Sequence, residues 1–326
     1  MISDSINDLP PSNANVAVLI PCYNEAQTIG KVIDDFAIAL PGAAIYVYDN
    51  NSTDGTSQVA LDHGAQVVYE PRQGKGNVVR QMLRDIDADC YLMVDGDDTY
   101  PADYSPQLVS PILEGTADHV VGDRLSNGSY GAENKRHFHG FGNDLVRWLI
   151  KRLYGFEYAD VMTGYRSFSR PFAKTFPVLS PGFEIETELS IHAVDKAWRT
   201  LQVPVPYRDR PEGSVSKLNT FSDGIKVLKM IASLFKDYKP LGFFSFLSVV
   251  SLVLCLSFGA PVIAEFTVTH QVPRFPTAIL ALGLGILSVL FLVCGLILDT
   301  EVKSSRRQWE LEVYRELELE RNLDSH

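Results

Sequence analysis

Short apolar runs recur through the first part of the chain, at residues 16–20, 44–48, 66–69, 91–94 and 119–122, each bounded by polar residues. Runs of this length without polar alternation predict strands buried on both faces. Residues 26–40 carry apolar positions at helical spacing, and 77–86 reads as a second helix. Strands alternating with helices predict an α/β fold with a mainly parallel sheet covered on both sides. Ligands of such sheets bind beyond the carboxyl ends of the strands.

The pattern changes after residue 240. Residues 241–264 and 275–298 are free of charge. At 1.5 Å per residue each run reaches roughly 36 Å, enough to cross a hydrocarbon core of about 30 Å. Joined by a short loop, they predict a transmembrane hairpin. Lys226, Lys229, Lys236 and Lys239 precede the first run, Lys303, Arg306 and Arg307 follow the second, and only Arg274 lies in the loop. The positive-inside rule then puts both termini and the catalytic domain in the cytoplasm, in an integral membrane protein. Pro261 is expected to kink or end the first span. Within 216–240, Phe221, Ile225, Leu228, Ala232 and Phe235 recur at helical spacing, predicting an amphipathic helix in the bilayer interface. Residues 299–326 read as a cytoplasmic amphipathic tail and 1–15 as a disordered lead-in, which leaves 16–215 for the catalytic domain.

The formal net charge of −11 disfavours a nucleic-acid partner. The four cysteines, Cys22, Cys90, Cys255 and Cys294, have no zinc-site spacing and read as reduced packing residues.

Chemistry enters where strands end. Pro21-Cys22-Tyr23-Asn24-Glu25 follows the first strand, Asp49-Asn50-Asn51-Ser52-Thr53-Asp54-Gly55-Thr56 the second, and Asp95-Gly96-Asp97-Asp98 the fourth. Three polar motifs on one rim make a site there the default reading. The absence of Gly-x-Gly-x-x-Gly after any strand argues against a dinucleotide site, and Gly74-Lys75-Gly76 is too short for a P-loop, though it can bring a lysine to a phosphate. Asp95 and Asp97 would repel each other unless a cation sits between them. Hard oxygen ligands suit Mg²⁺ or Mn²⁺, completed by substrate phosphates. Gly96 is read as the residue that lets the backbone turn between them.

These motifs resemble family 2 glycosyltransferases of GT-A fold. Val121-Gly122-Asp123-Arg124, Asp160-Val161-Met162-Thr163-Gly164-Tyr165-Arg166 and Ser214-Val215-Ser216-Lys217-Leu218-Asn219 are similar to the dolichol-phosphate mannose synthase branch. With two C-terminal spans, the chain looks like the polyprenyl-phosphate glucosyl- and N-acetylglucosaminyltransferases of that branch. The resemblance implies an inverting, metal-dependent transfer of one sugar from a nucleotide-sugar to undecaprenyl or dolichyl phosphate, by a homo-oligomer. UDP-glucose and UDP-N-acetylglucosamine lead as donors, with GDP-mannose as the alternative. It implies that Pro21, Tyr23, Asn24, Glu25, Asp49, Asn50, Ser52, Lys75, Asp95 and Gly96 surround the donor. Asp95 and Asp97 would hold the metal, and Asp97 and Asp160 would be the catalytic carboxylates. Arg124, Arg136, Arg166 and Lys217 would meet the lipid phosphate. Asp160 can act as a base or as an orienting group, and the sequence leaves both open. The same holds for whether His137 and His139, beside Arg136, belong to the site or to a flanking loop. Among Glu184, Glu186 and Glu188, one or two are expected to be solvated, and none is singled out for the sugar.

A processive polysaccharide synthase is the main rival. Its Gln-x-x-Arg-Trp signature is missing: the nearest match, Asp144-Leu145-Val146-Arg147-Trp148, lacks the Gln and precedes Asp160. Two spans in a monomer also cannot enclose a glycan channel. A non-catalytic membrane scaffold would have no need for adjacent repelling aspartates.

Overall fold

The computed structural model describes residues 15–126, 146–148, 150–152, 154–208, 233 and 235–324. The chain divides into two compact units, one formed by Met1–Thr220 with Val313–His326 and the other by Phe221–Glu312.

In the first unit the order is β1 (Val16–Cys22), α1 (Ile29–Ala39), β2 (Ala44–Asp49), α2 (Thr56–Asp62), β3 (Gln66–Tyr69), α3 (Lys75–Asp85) and β4 (Cys90–Met93). Then come α4 (Ser105–Leu113), β5 (His119–Asp123), β6 (Arg166–Ser169), α5 (Arg170–Thr175), α6 (Ile185–Asp195) and β7 (Thr200–Pro204). The strands form one sheet ordered β3-β2-β1-β4-β6-β5-β7. β1, β2, β3 and β4 are mutually parallel, as the apolar runs predict. β6 is antiparallel to both its neighbours, and β5 pairs in parallel with β7. β5 ends at the functional rim and β6 starts beside it, with Val121 facing Arg166, so β6 runs back along the sheet.

Alternate residues of each central strand serve opposite cores, as strand geometry requires. Val18 and Ile20 pack with Val32, Ile33 and Phe36 of α1 and Leu108 of α4. Ala17 and Leu19 pack with Val79 and Met82 of α3, Phe172 of α5 and Leu189 of α6. The register puts Cys22 beside Asp49 and Asp49 beside Tyr69, so the polar motifs emerge together at the carboxyl rim.

The second unit holds α7 (Pro240–Thr269) and most of α8 (Phe275–Asp324). Gly295 approaches Phe244, the Ser248 and Ser288 hydroxyls hydrogen-bond at 3.1 Å, Gly285 lies against Cys255, and Gly259 against Ala281. Residue numbers rise on one helix as they fall on the other, so α7 and α8 form an antiparallel hairpin. Small residues allow that approach, and the paired serine hydroxyls satisfy each other. Only 11% and 17% of the most apolar windows of the two helices are buried, and by length and composition each is long and apolar enough to cross a membrane.

The structure departs from or adds to the sequence reading in three respects. α7 runs through Pro261 to Thr269 instead of ending there. The stretch expected to be an amphipathic tail, 299–326, is helical as far as Asp324 and continuous with the second apolar run, in one helix α8. That stretch contains neither Gly nor Pro and is rich in Glu, Leu and Arg, so nothing in it stops a helix. Finally, β6 and β7 were not read from the sequence. The expected interfacial helix lies almost wholly outside the described residues.

Under the sheet, two imidazoles are built into an aromatic stack. His119 lies against Phe168 and Phe172, with ring centroids 5.6 and 5.1 Å away. His192 meets the edges of Phe172 and Phe176. Burial, helped by Arg166, holds the His119 pKa well below 6.5. Burial, helped by Lys196, pushes that of His192 down to about 3. The unfolded chain takes up these protons below 6.5 and the folded chain does not. Stability is therefore fully present above pH 6.5 and is lost as pH falls toward 3. Denaturant unfolding of the detergent-solubilised protein should show this decline, with His192→Gln reducing its slope by up to about 1.4 kcal/mol per pH unit. An unchanged slope in the variant would remove His192 as a cause.

Candidate active site

The first two polar motifs are hydrogen-bond partners of each other. Ser52 Oγ accepts the Asn24 amide at 2.8 Å, Thr56 Oγ1 accepts the Glu25 amide at 2.9 Å, and Asn24 Oδ1 accepts the Thr53 amide at 2.8 Å. Asn24 and Asn51 hold left-handed backbones, at φ 53° and 67°, a conformation that asparagine tolerates better than most residues. The buried Asn50 side chain donates to the carbonyls of Glu70 and Arg72, at 2.9 and 2.8 Å, and accepts the Gly74 amide at 2.6 Å. Asp49 accepts the Ser52 amide at 2.8 Å and the Ser57 hydroxyl. Asn24, Asn50 and Ser52 thus brace the rim, a part the sequence reading did not give them. Tyr23 is exposed on the rim, and Pro21, one residue before the end of β1, pairs with Tyr48.

Gly96 is needed for a reason the sequence did not show. Its φ is not positive, but a Cβ there would lie 2.7 Å from Cys22 Sγ. Its carbonyl accepts the buried Thr28 hydroxyl at 2.6 Å, which ties the acidic turn to α1.

The acidic residues have different surroundings. Asp98 faces Lys31 at 2.7 Å. The buried Asp97 accepts the Thr99 hydroxyl at 2.6 Å. Asp95 pairs with the Lys75 ammonium, which also meets Glu186 at 2.7 Å. Glu186 was not singled out beforehand, yet it is the buried carboxylate that α6 delivers here. Burial raises its pKa despite the opposing pull of Lys75. Glu188 is equally buried and caps a turn, accepting the amides of Leu179 and Ser180 at 3.0 and 2.9 Å.

Across the rim, Arg124 makes a bidentate pair with the fully buried Asp160, at 2.6 and 3.1 Å, and donates to the Met162 carbonyl at 2.9 Å. Its guanidinium lies over the rings of Tyr207 and Tyr100, at 5.3 and 6.0 Å, in cation–π geometry. Tyr100 also accepts the Gly164 amide at 3.0 Å. Gly164 itself packs on Asp95: a Cβ at this position would sit 2.3 Å from Asp95 Oδ2. Tyr100 and Gly164 thereby join the two halves of the site, a link carried by no local sequence signal.

Arg166 is fully buried beneath this loop. It donates to the carbonyls of Thr163 and Val161, at 2.8 and 2.5 Å, and to Ser190 Oγ at 2.9 Å. This corrects the expectation that it reaches a phosphate: it fixes the backbone that carries Asp160. Arg136, Lys217, His137 and His139 lie outside the described residues.

Among the described residues, no three carboxylate, imidazole or thiolate groups converge to hold a metal on their own. Asp95 and Asp97 still fit a hard divalent cation that takes its remaining ligands from phosphate and water. The ammonium already resting on Asp95 marks that carboxylate as a cation partner.

Residues 17–176 match the family model described as "Glycosyl transferase family 2". The chain is 33% identical over 302 residues to "Glycosyltransferase AglJ" of Haloferax volcanii, covering 91% of this chain and 97% of that relative. It is 31% identical over 217 residues to the "Dolichyl-phosphate hexose transferase" of the same organism, covering 67% and 92%. The fold resembles glucosyl-3-phosphoglycerate synthase from Mycobacterium tuberculosis in complex with Mn²⁺, UDP and glucosyl-3-phosphoglycerate. The TM-score is 0.55 at 24% identity, over 72% of this chain and 85% of that one.

Two glycines should separate structure from site. A Cβ at Gly76 would lie 1.9 Å from the Ser180 carbonyl oxygen, a backbone atom that cannot step aside. Gly76→Ala is expected to destabilise by about 2–3 kcal/mol. At Gly164 the obstacle is a partly exposed carboxylate that can move. Gly164→Ala should keep its unfolding midpoint within about 3 °C of wild type, yet lose at least about tenfold in Mn²⁺ affinity by calorimetry. Unchanged Mn²⁺ affinity would contradict this account of Asp95.

Proposed function

The chain belongs to glycosyl transferase family 2, and we propose that it transfers a single hexose or N-acetylhexosamine from a UDP-sugar to a polyisoprenyl phosphate at a membrane. UDP-glucose and UDP-N-acetylglucosamine are the favoured donors. The observation that carries this reading is the pairing, on one sheet rim, of an acidic turn with a guanidinium held by a buried aspartate, in a chain that also bears two exposed apolar helices. The relative named as a dolichyl-phosphate hexose transferase supports the lipid acceptor. The related fold that binds Mn²⁺ and UDP supports the donor side. Lys236 and Lys239 before α7, against Arg274 in the connecting loop, favour a catalytic unit facing the cytoplasm.

In this mechanism Pro21, Tyr23 and Asp49 border the nucleoside. A Mg²⁺ or Mn²⁺ ion held by Asp95, Asp97 and the diphosphate would neutralise charge on the departing nucleoside diphosphate. Arg124 receives the acceptor phosphate, for which a planar guanidinium is suited. A phosphate monoester has its second pKa near 6, so the attacking oxygen is already anionic at neutral pH. Asp160 therefore need not remove a proton, and its two hydrogen bonds to Arg124 favour an orienting role. The phosphate oxygen attacks the anomeric carbon opposite the leaving group. The bond to the nucleoside diphosphate breaks as the new one forms, turning an α-linked donor into a β-linked product.

The test is a donor panel of UDP-glucose, UDP-N-acetylglucosamine and GDP-mannose, with purified protein, Mg²⁺ or Mn²⁺ and a short polyprenyl phosphate. A glycolipid from one UDP-sugar is expected. A product from GDP-mannose alone would reassign the donor, and none from any donor would defeat the proposal. Asp97→Ala should lower turnover by more than about 100-fold. Arg124→Lys keeps a charge beside Asp160 but loses the bidentate fork. It should raise KM for the lipid about tenfold and leave KM for the donor nearly unchanged. A KM rise on the donor side alone would move Arg124 out of the acceptor site.

A further inference from the structure

Lys75 and Glu186 belong to one rigid piece of the rim. Lys75 opens α3 within Gly74-Lys75-Gly76, and that turn is pinned to the segment before α6: the Gly76 amide donates to the Gly182 carbonyl at 3.2 Å and the Asn77 amide to Pro181 at 3.3 Å. Gly74 has φ 126°, and a Cβ on it would lie 2.2 Å from the Pro181 carbonyl oxygen, so the two segments meet backbone to backbone. Asp95 comes from the end of β4, a separate element. The side chains differ in exposure, at 7% for Lys75 and 11% for Glu186 but 28% for Asp95. Asp95 is thus the member of the trio that an ion arriving from solvent meets first, with Glu186 behind the ammonium.

We propose that Lys75 and the divalent cation are alternative partners of Asp95, and that Glu186 is a positioning residue that takes over Lys75 when the cation and the donor diphosphate bind. This rests on the metal-dependent reading above and deepens it. One ammonium between two carboxylates leaves a negative charge uncompensated under cover, an arrangement that invites a further cation. A divalent ion together with Lys75 balances Asp95, Asp97 and Glu186. Lys75 touches two carboxylates at once, so an ammonium displaced from Asp95 passes to the other. Glu186, already 2.7 Å away, can keep it, and there the ammonium remains beside Asp95, where the donor diphosphate would lie. Asp95 needs Lys75 as a neutralising partner when no cation is bound and needs to be released from it when one is. Glu186 makes both possible.

The experiment is a double-mutant cycle read by Mn²⁺ binding, using calorimetry or the electron paramagnetic resonance signal of Mn²⁺, on purified full-length protein without nucleotide. Thermal unfolding checks that each variant is folded. Lys75→Met removes the competitor and should tighten Mn²⁺ about tenfold, whereas Glu186→Gln strands Lys75 on Asp95 and should weaken Mn²⁺ about tenfold. The double variant decides between hand-over and a general effect of charge, because independent effects add and coupled ones do not. With Lys75 gone, Glu186→Gln should change Mn²⁺ affinity by less than about twofold. Equal effects of Glu186→Gln in both backgrounds, or no tightening in Lys75→Met, would overturn the proposal while leaving the transferase reading intact. If the wild type bound no Mn²⁺ even with UDP present, the metal site itself would fall.

Discussion

Collecting carboxylates under cover at the end of a sheet is electrostatically unfavourable, and the rest of the rim is arranged around that constraint. Asp95, Asp160 and Glu186 come from three separate stretches of chain, and each is held by a cation: Lys75 bridges the first and last, and Arg124 chelates the second. Removing one partner of a buried pair leaves an unmatched charge, a larger loss than the gain from forming the pair. Such a cluster is a weak source of stability. Its retention makes sense where the charges must be ready for an anionic ligand that brings its own cation.

Holding those charges still falls to neutral groups. The asparagines and hydroxyls after β1 and β2 satisfy one another's backbone donors, so the loops above the sheet are fixed by side chains instead of by strand pairing. Beneath them Arg166 gathers the carbonyls of the loop carrying Asp160. A guanidinium has five donors in a fixed fork, which lets one buried side chain order several carbonyls of an irregular turn. Asp160 is positioned through this neighbour, which itself lies in the core.

The hairpin in the second unit has a surface suited to a different solvent. Its two helices meet through glycine, alanine and a serine pair, while leucine, valine and phenylalanine face outward. In water that surface would drive aggregation. In lipid it is the favourable side, and close packing of small residues supplies what the hydrophobic effect no longer can. Pro261 has no N–H to offer the carbonyl four residues earlier, yet α7 continues through it to Thr269.

The sequence by itself determined the parallel strands β1 to β5, the placing of the polar motifs at their carboxyl ends, and the apolar hairpin. These depend on runs of hydrophobicity and on which residue follows a strand, both of which are local. Even so, strand propensity did not disclose the short β6 and β7, and nothing local set the length of α8. Only the tertiary structure decided which polar residues brace and which present charge. Asn50 and Arg166 have the same chemistry as ligand-binding residues, and they became scaffold because backbone carbonyls from elsewhere in the chain surround them. Glu186 is one of three glutamates spaced two apart. It was chosen by the rotation of α6 against the Gly74–Gly76 turn, which aims its carboxylate at Lys75. Side-chain roles of this kind follow from contacts between residues up to 111 positions apart, and composition and spacing carry no record of such distances.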